Sequence, residues 1–200
     1  MINIEEYIDS FDTSLNISGK SPWDITQGIN DIILERISLL DGDYVINNDV
    51  AIHKTAVIEH NVTLKPPLII GADCFIGANS YLRNGVILLD NVKIGTGCEI
   101  KTSIICPGSA IAHFNFIGDS IIGCRVNFEA GSITANHYNE REDKIITVVH
   151  NSEKINTHVT KFGSLVGDDS RIGANAVLSP GTLLLPKSIV KRLELVEQSR

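Results

Sequence analysis

Two hundred residues, 43% of them hydrophobic, suffice for one well-buried domain, or for one domain with a terminal extension. A net charge of −7 argues against non-specific binding to nucleic acid or to an anionic membrane, although a local basic patch stays open. No run approaches the roughly 18 consecutive apolar residues of a membrane-spanning helix.

The chain starts Met1-Ile2-Asn3-Ile4-Glu5-Glu6, which is acidic and lacks the basic and apolar regions of a signal peptide, so it reads as cytoplasmic. Residues 1–20 show no strong pattern and are expected to be loosely ordered. Ser21-Pro22-Trp23-Asp24 is a helix start, with Ser as N-cap, Pro in the first turn and an acid near the positive end. Ile25, Ile29, Ile32, Ile33, Ile37 and Leu40 follow at helical spacing, and Gly42 is the expected stop. Residues 1–43 therefore read as an extension with a capping helix.

From Ile46 the period changes to six. Ile46, Ile52, Ile58, Leu64, Ile70, Ile76, Leu82, Leu88, Ile94 and Ile100 are all Ile or Leu. Chance would produce such a run with a probability on the order of 10⁻⁷ to 10⁻⁶, so the period is real. A mostly small residue follows four positions after each hit, as at Ala56, Cys74, Ser80 and Cys98. Period six fits neither an amphipathic helix nor a simple alternating strand. It fits a chain that runs a short strand, turns a corner of about 120° and repeats, so that three faces close an eighteen-residue coil. Coils then stack at the sheet spacing of about 4.8 Å, and the inward aliphatics form the core. The expected fold is an all-β, left-handed parallel β-helix of hexapeptide repeats.

Beyond Ile100 the phase slips, since Ile122 and Phe128 are six apart but out of frame with it. From about 137 to 160 the period fails, and the segment reads as a loop or hairpin thrown out from the coil. The pattern returns at Val166, Ile172, Leu178 and Leu184, which places the β-helix over 44–190. Residues 187–200 read as a C-terminal helix closing the far end. Cys74, Cys98, Cys106 and Cys124 lack metal-ligand spacing and read as buried reduced thiols, with no metal site expected.

Residues eighteen apart lie above one another in such a coil. Lys65, Arg83 and Lys101 have that spacing and each follows a core aliphatic, so they should form a column of cations on one edge. Bare cations that close repel by about 1 kcal/mol per pair in water, and a bound phosphate would relieve this. Solvated corner residues are the plainer alternative. His113 lies two faces beyond Lys101 in the apolar-rich stretch Ile111-Ala112-His113-Phe114-Asn115-Phe116. Histidine's unperturbed pKa of about 6.5 suits a proton acceptor near neutrality, although a lone histidine is more often structural. Asn115, Asn127 and Asn136 are compatible with hydroxyl recognition.

The stretch Ala112-His113-Phe114-Asn115-Phe116-Ile117-Gly118-Asp119-Ser120, with Asn127-Phe128-Glu129-Ala130-Gly131 and Asn136 after it, carries a resemblance. It is similar to the acetyltransferase domain of bifunctional N-acetylglucosamine-1-phosphate uridylyltransferase/glucosamine-1-phosphate acetyltransferases. It is closer still to archaeal-type sugar-1-phosphate nucleotidyltransferases with a C-terminal β-helix, over roughly residues 21–190. The resemblance implies His113 as general base and Arg83, Lys101, Asn127, Asn136 and Lys161 as substrate ligands, with Ala174 at a position that contacts CoA. Phe116 stands where the family has Tyr, so a hydroxyl near the sugar is lost. The resemblance implies acetyl-CoA as co-substrate with no metal, an amino-sugar 1-phosphate as acceptor, and a homotrimer. No Gly-rich nucleotide-binding start is present, so no pyrophosphorylase activity is expected. Two other readings stay open. One is a non-catalytic trimeric module that binds a sugar phosphate or a protein; the other is an acetyltransferase acting on a nucleotide-linked amino sugar.

Overall fold

Each hexad residue from Ile52 onward enters one of three inward columns. In the computed structural model, which describes residues 2–9, 11, 15, 17 and 19–198, parallel ladders tie each strand to its equivalent in the next coil. Face one stacks Ile58, Ile76, Ile94, Ile111, Phe128, Ile172 and Val190. Face two stacks Leu64, Leu82, Ile100, Ile117, Thr134, Leu178 and Val196. Face three stacks Ile52, Ile70, Leu88, Ile105, Ile122, Val166 and Leu184. Most of these side chains have no solvent exposure, and each such aliphatic contributes roughly 1.5–3 kcal/mol on burial. Thr134, the polar member, is satisfied in place: its hydroxyl accepts the Gly118 N–H at 2.9 Å. The expected parallel β-helix is borne out.

The phase slip has a simple cause. Ile100 to Ile105 and Ile117 to Ile122 are steps of five, both across the corner between faces two and three. One coil earlier the same corner holds Gly85 at φ +87° and a register shift between Arg83 and Val86. One coil later it opens into the insertion, where Thr147–His150 and Glu153–Asn156 form an antiparallel hairpin. Irregularity in the described coils thus concentrates at one corner.

Face three is buried on both sides. Its outward residues Ala51, Ile69, Ile87, Ile104, Ile121, Leu165 and Leu183 form a second core with the N-terminal segment and the insertion. Helix α1 (Pro22–Gln27) and helix α2 (Ile29–Ile37) cover it, and Trp23 meets Phe162 edge-on at 5.8 Å. The single helix expected from Ser21 to Gly42 is therefore two, separated at Gly28, where a glycine weakens helix propagation. Residues expected to be loosely ordered are packed here, with Ile2, Ile4, Tyr7, Ile8, Phe11, Leu15 and Ile17 buried in the second core. Positions 1, 10, 12–14, 16 and 18 of that stretch lie outside the described residues. The insertion joins the same core through Ile146, Val148 and Val159, and Tyr7 Oη lies 3.0 Å from His150 Nδ1.

Both ends of the repeat also differ from expectation. Ile46 is 45% exposed and sits in strand β1 (Tyr44–Asn47), antiparallel to strand β2 (Val50–His53), so the coil begins at β2. The expected C-terminal helix over 187–200 is instead, among its described residues 187–198, two strands, Ile189–Val190 and Leu195–Val196. Val190 and Val196 continue the six-residue step from Leu184, and pairing with the preceding coil outweighs local helix propensity. Cys74, Cys98, Cys106 and Cys124 are free and buried.

Candidate functional site

The corner between faces two and three gathers most of the expected substrate ligands. Arg83 and Lys101 are register partners, so the eighteen-residue spacing does place them on one edge. Lys65 follows Leu64 one coil away, donates its backbone N–H to the Leu82 carbonyl at 2.8 Å and is exposed. The cations are not bare, which corrects the repulsion argument. Arg83 Nη2 lies 2.6 Å from Glu99 Oε1, and Lys101 Nζ lies 2.6 Å from Asp119 Oδ2. The Lys101–Asp119 pair is buried, and Asn136 Nδ2 donates to the same Asp119 oxygen. Phe116 is half-buried on the outer surface of face two, between Glu99 and Ile133. A Cβ on Gly118 would stand 2.7 Å from its ring and 3.1 Å from Asn136 Nδ2, so a glycine there lets ring and amide approach one another. Lys161 is exposed where the insertion returns, next to Phe162, whose N–H donates to the Asn136 carbonyl at 3.0 Å.

His113 lies elsewhere, on the corner between faces one and two. Its side chain is exposed, and among the described residues its imidazole has no hydrogen-bond partner. The backbone is held: the His113 carbonyl accepts from Gly131 N–H at 2.9 Å and from Asn115 Nδ2 at 3.2 Å. Gly95 lies against this turn, where a Cβ would meet the Ala112 carbonyl oxygen at 2.6 Å and His113 Nδ1 at 3.1 Å. Face two separates this corner from that of Arg83 and Lys101, so a single chain does not bring base and cations together.

Asn127 is on the outer surface of face one, beside Arg171 in the next coil. It lines an open groove of about 500 Å³ with Glu129, Arg171, Lys191 and Arg192. Arg192 donates to both oxygens of Glu129, at 2.9 and 3.1 Å, and Glu129 Oε2 also accepts the Ala174 N–H at 2.9 Å. The Arg192 guanidinium and then the Ala174 amide hold the Glu129 carboxyl down at about 2. Ala174 is the position that the resemblance places against CoA, and its N–H is already engaged. The same carboxylate cap recurs at other corners, from Glu59 to Ala78 N–H at 2.7 Å and from Asp168 to Cys124 N–H at 2.6 Å. It satisfies amides that the turning chain leaves unpaired.

Glu99 and Asp119 were not among the residues singled out from the sequence. The available signal was charge: two cations on one buried-side corner require counter-charges, and both acids lie within two residues of a core hexad position. The second core had a signal too. Face three doubles its aliphatics in four successive coils, at Ile69-Ile70, Ile87-Leu88, Ile104-Ile105 and Ile121-Ile122, which marks a strand buried on both faces.

Comparison with known proteins agrees with the resemblance. A family profile described as the GMPPB C-terminal domain matches residues 46–155. The chain is 33% identical over 183 residues to the bifunctional protein GlmU of Methanococcus vannielii, covering 88% of this chain and 43% of that protein. It is 32% identical over 167 residues to the bifunctional sugar-1-phosphate nucleotidylyltransferase/acetyltransferase of Sulfurisphaera tokodaii, covering 80% of this chain and 41% of that protein. The chain thus spans about two fifths of the length of these relatives. Among solved structures, a hexapeptide transferase family protein from Anaplasma phagocytophilum aligns over 76% of this chain and 80% of its own, at 19% identity and a TM-score of 0.49. With the repeat, the His-Phe-Asn block and more than half of the chain matched, the protein belongs to the GMPPB C-terminal domain family of β-helical domains, similar to those of the bifunctional sugar-1-phosphate nucleotidyltransferase/acetyltransferases.

Proposed function

We propose that this chain transfers the acetyl group of acetyl-CoA to the amine of an amino-sugar 1-phosphate, with His113 as general base, in a homotrimer. The observation that carries this reading is the imidazole of His113: exposed and without a hydrogen-bond partner among the described residues. A proton acceptor must have one ring nitrogen free to receive the proton. Because face two separates His113 from Arg83 and Lys101, a complete site needs a second copy, and cyclic symmetry supplies one at each seam.

In the reaction the substrate ammonium first loses one proton to solvent, and His113 takes a second from the amine nitrogen as it attacks the thioester carbon and passes it to the leaving thiolate. The C–N bond forms, the C–S bond breaks, and the CoA thiolate leaves and is protonated. Positioned proton transfer of this kind contributes about 10²–10⁴-fold. Arg83 and Lys161 reach outward from the edge and would hold the 1-phosphate, with Phe116, Asn127 and Asn136 around the sugar. Lys101, buried and bonded to Asp119 and Thr102, would contribute to this phosphate corner chiefly as a charge behind Arg83. The groove of face one suits the phosphates of CoA, since Arg171 and Lys191 line it beside Arg192.

One observation favours a second reading. Glu99 and Asp119 neutralise Arg83 and Lys101 internally, which a purely structural or partner-binding module would tolerate equally well. A thiol-release assay with acetyl-CoA across a panel of amino-sugar 1-phosphates and nucleotide-linked amino sugars tests the proposal. Release with a 1-phosphate supports it. Release only with a nucleotide sugar moves the acceptor, and binding of a phosphosugar without any acetyl-CoA binding establishes the module.

A further inference from the structure

The corner residue between faces one and two takes the left-handed backbone in every described coil from Asn61 onward. Asn61, Asn79, Gly97, Gly131, Asn175 and Leu193 occupy it with φ between +55° and +74°. Asn and Gly enter this region at little cost. A bulky apolar side chain is strained there. Two bulky apolar residues nonetheless stand in this position, Leu193 in the last coil and Phe114 at φ +57°, and Phe114 directly follows His113. Its ring is 70% exposed, so burial in the coil does not explain its presence.

The ring is nevertheless held. It lies over Gly97, where a Cβ would stand 2.7 Å from Cδ1 and Cε1. Buried Asn115 fixes the turn from the other side through its hydrogen bond to the His113 carbonyl. The glycine at 97 thus leaves the space in which the ring of the next coil is seated. An Asn at 114 would make the same corner with less strain. What it could not supply is an apolar surface beside the imidazole. Along the same edge, Arg192 lies three coils further on, roughly 14 Å away at the coil spacing. The edge therefore runs from an apolar ring and a base to a cationic groove.

We propose that Phe114 is a specificity-determining residue for the acyl donor, its ring forming the wall against which the acyl-thioester end packs beside His113. The proposal rests on the reading of acetyl-CoA as donor. Its polyanionic end would lie toward Arg171, Lys191 and Arg192, and its apolar end toward Phe114.

The test compares the full chain with its Phe114→Asn and Phe114→Leu variants, using acetyl-CoA as the probe. Phe114→Asn should unfold at the same or a higher temperature. It should bind acetyl-CoA about tenfold more weakly by calorimetry, with KM raised by a similar factor and kcat changed by less than about threefold. Phe114→Leu should keep most of the affinity, while sedimentation shows the same association state for all three proteins. Equal affinity of Phe114→Asn and the parent overturns the proposal. So does a loss of affinity that appears together with a changed association state, since the ring then belongs to a contact between copies. If the parent itself binds no acetyl-CoA, the donor reading falls and takes this proposal with it. A parent that binds normally alongside an unaffected Phe114→Asn removes Phe114 alone.

Discussion

The ammonium of Lys101 lies 2.6 Å from a carboxylate oxygen of Asp119, with both side chains about nine-tenths buried, and Asn136 donates to the same oxygen. Removing one partner of a buried pair leaves an uncompensated charge, which typically costs roughly 3–5 kcal/mol. Lys101→Met and Asp119→Asn are therefore each expected to destabilise the fold by about that amount in chemical denaturation. The double variant Lys101→Met/Asp119→Leu should recover much of the loss. Additive losses would show that the two residues act independently.

His113 contributes nothing comparable to the fold, since its side chain is exposed and lacks a hydrogen-bond partner among the described residues. His113→Ala should unfold with the parent, yet lower acetyl transfer by at least about 10²-fold. Turnover within a factor of about three of the parent would remove His113 as the base.

The second core predicts a dependence on the N-terminal segment. Ile87 is 1% exposed beneath it, and Ile87→Ala should cost roughly 2–5 kcal/mol by transfer and cavity effects. Deleting residues 1–41 would uncover the outward aliphatics of face three, an apolar strip the length of the β-helix. Such a truncated chain should aggregate, which light scattering would report; a soluble, monodisperse product would contradict the packing.

Glu129 offers a pH-dependent reading. Its carboxyl is held at about 2, below the value of a free glutamate, chiefly by Arg192. A depressed carboxylate stabilises the fold above its unfolded pKa and loses that contribution as pH falls toward its folded one. The contribution should therefore be complete above about pH 4.5 and fade toward pH 2. Arg192→Ala should raise the Glu129 pKa toward that of a free glutamate, measurable by carboxyl NMR titration.

Burial pushes the Cys74 thiol up to about 11, so little thiolate exists at neutral pH. Native protein treated with iodoacetamide at pH 8 should leave Cys74 unmodified by mass spectrometry, and denaturation should expose it. Rapid native labelling would show that the coil opens there.

The period of six determined the coil, its three faces and the shared edge of Arg83 and Lys101, because side chains repeating at that interval can be buried only when the chain turns after each strand. The same period already reached Val196, although the segment reads as a closing helix. Spacing alone could not reveal what pairs across space. The engagement of Arg83 by Glu99, of Lys101 by Asp119 and of the Ala174 amide by Glu129 depends on side chains meeting between coils. The burial of face three likewise depends on how a distant N-terminal segment packs against it. Those interactions are set by tertiary geometry, since energies of pairing and burial belong to surfaces that exist only once the chain has wound.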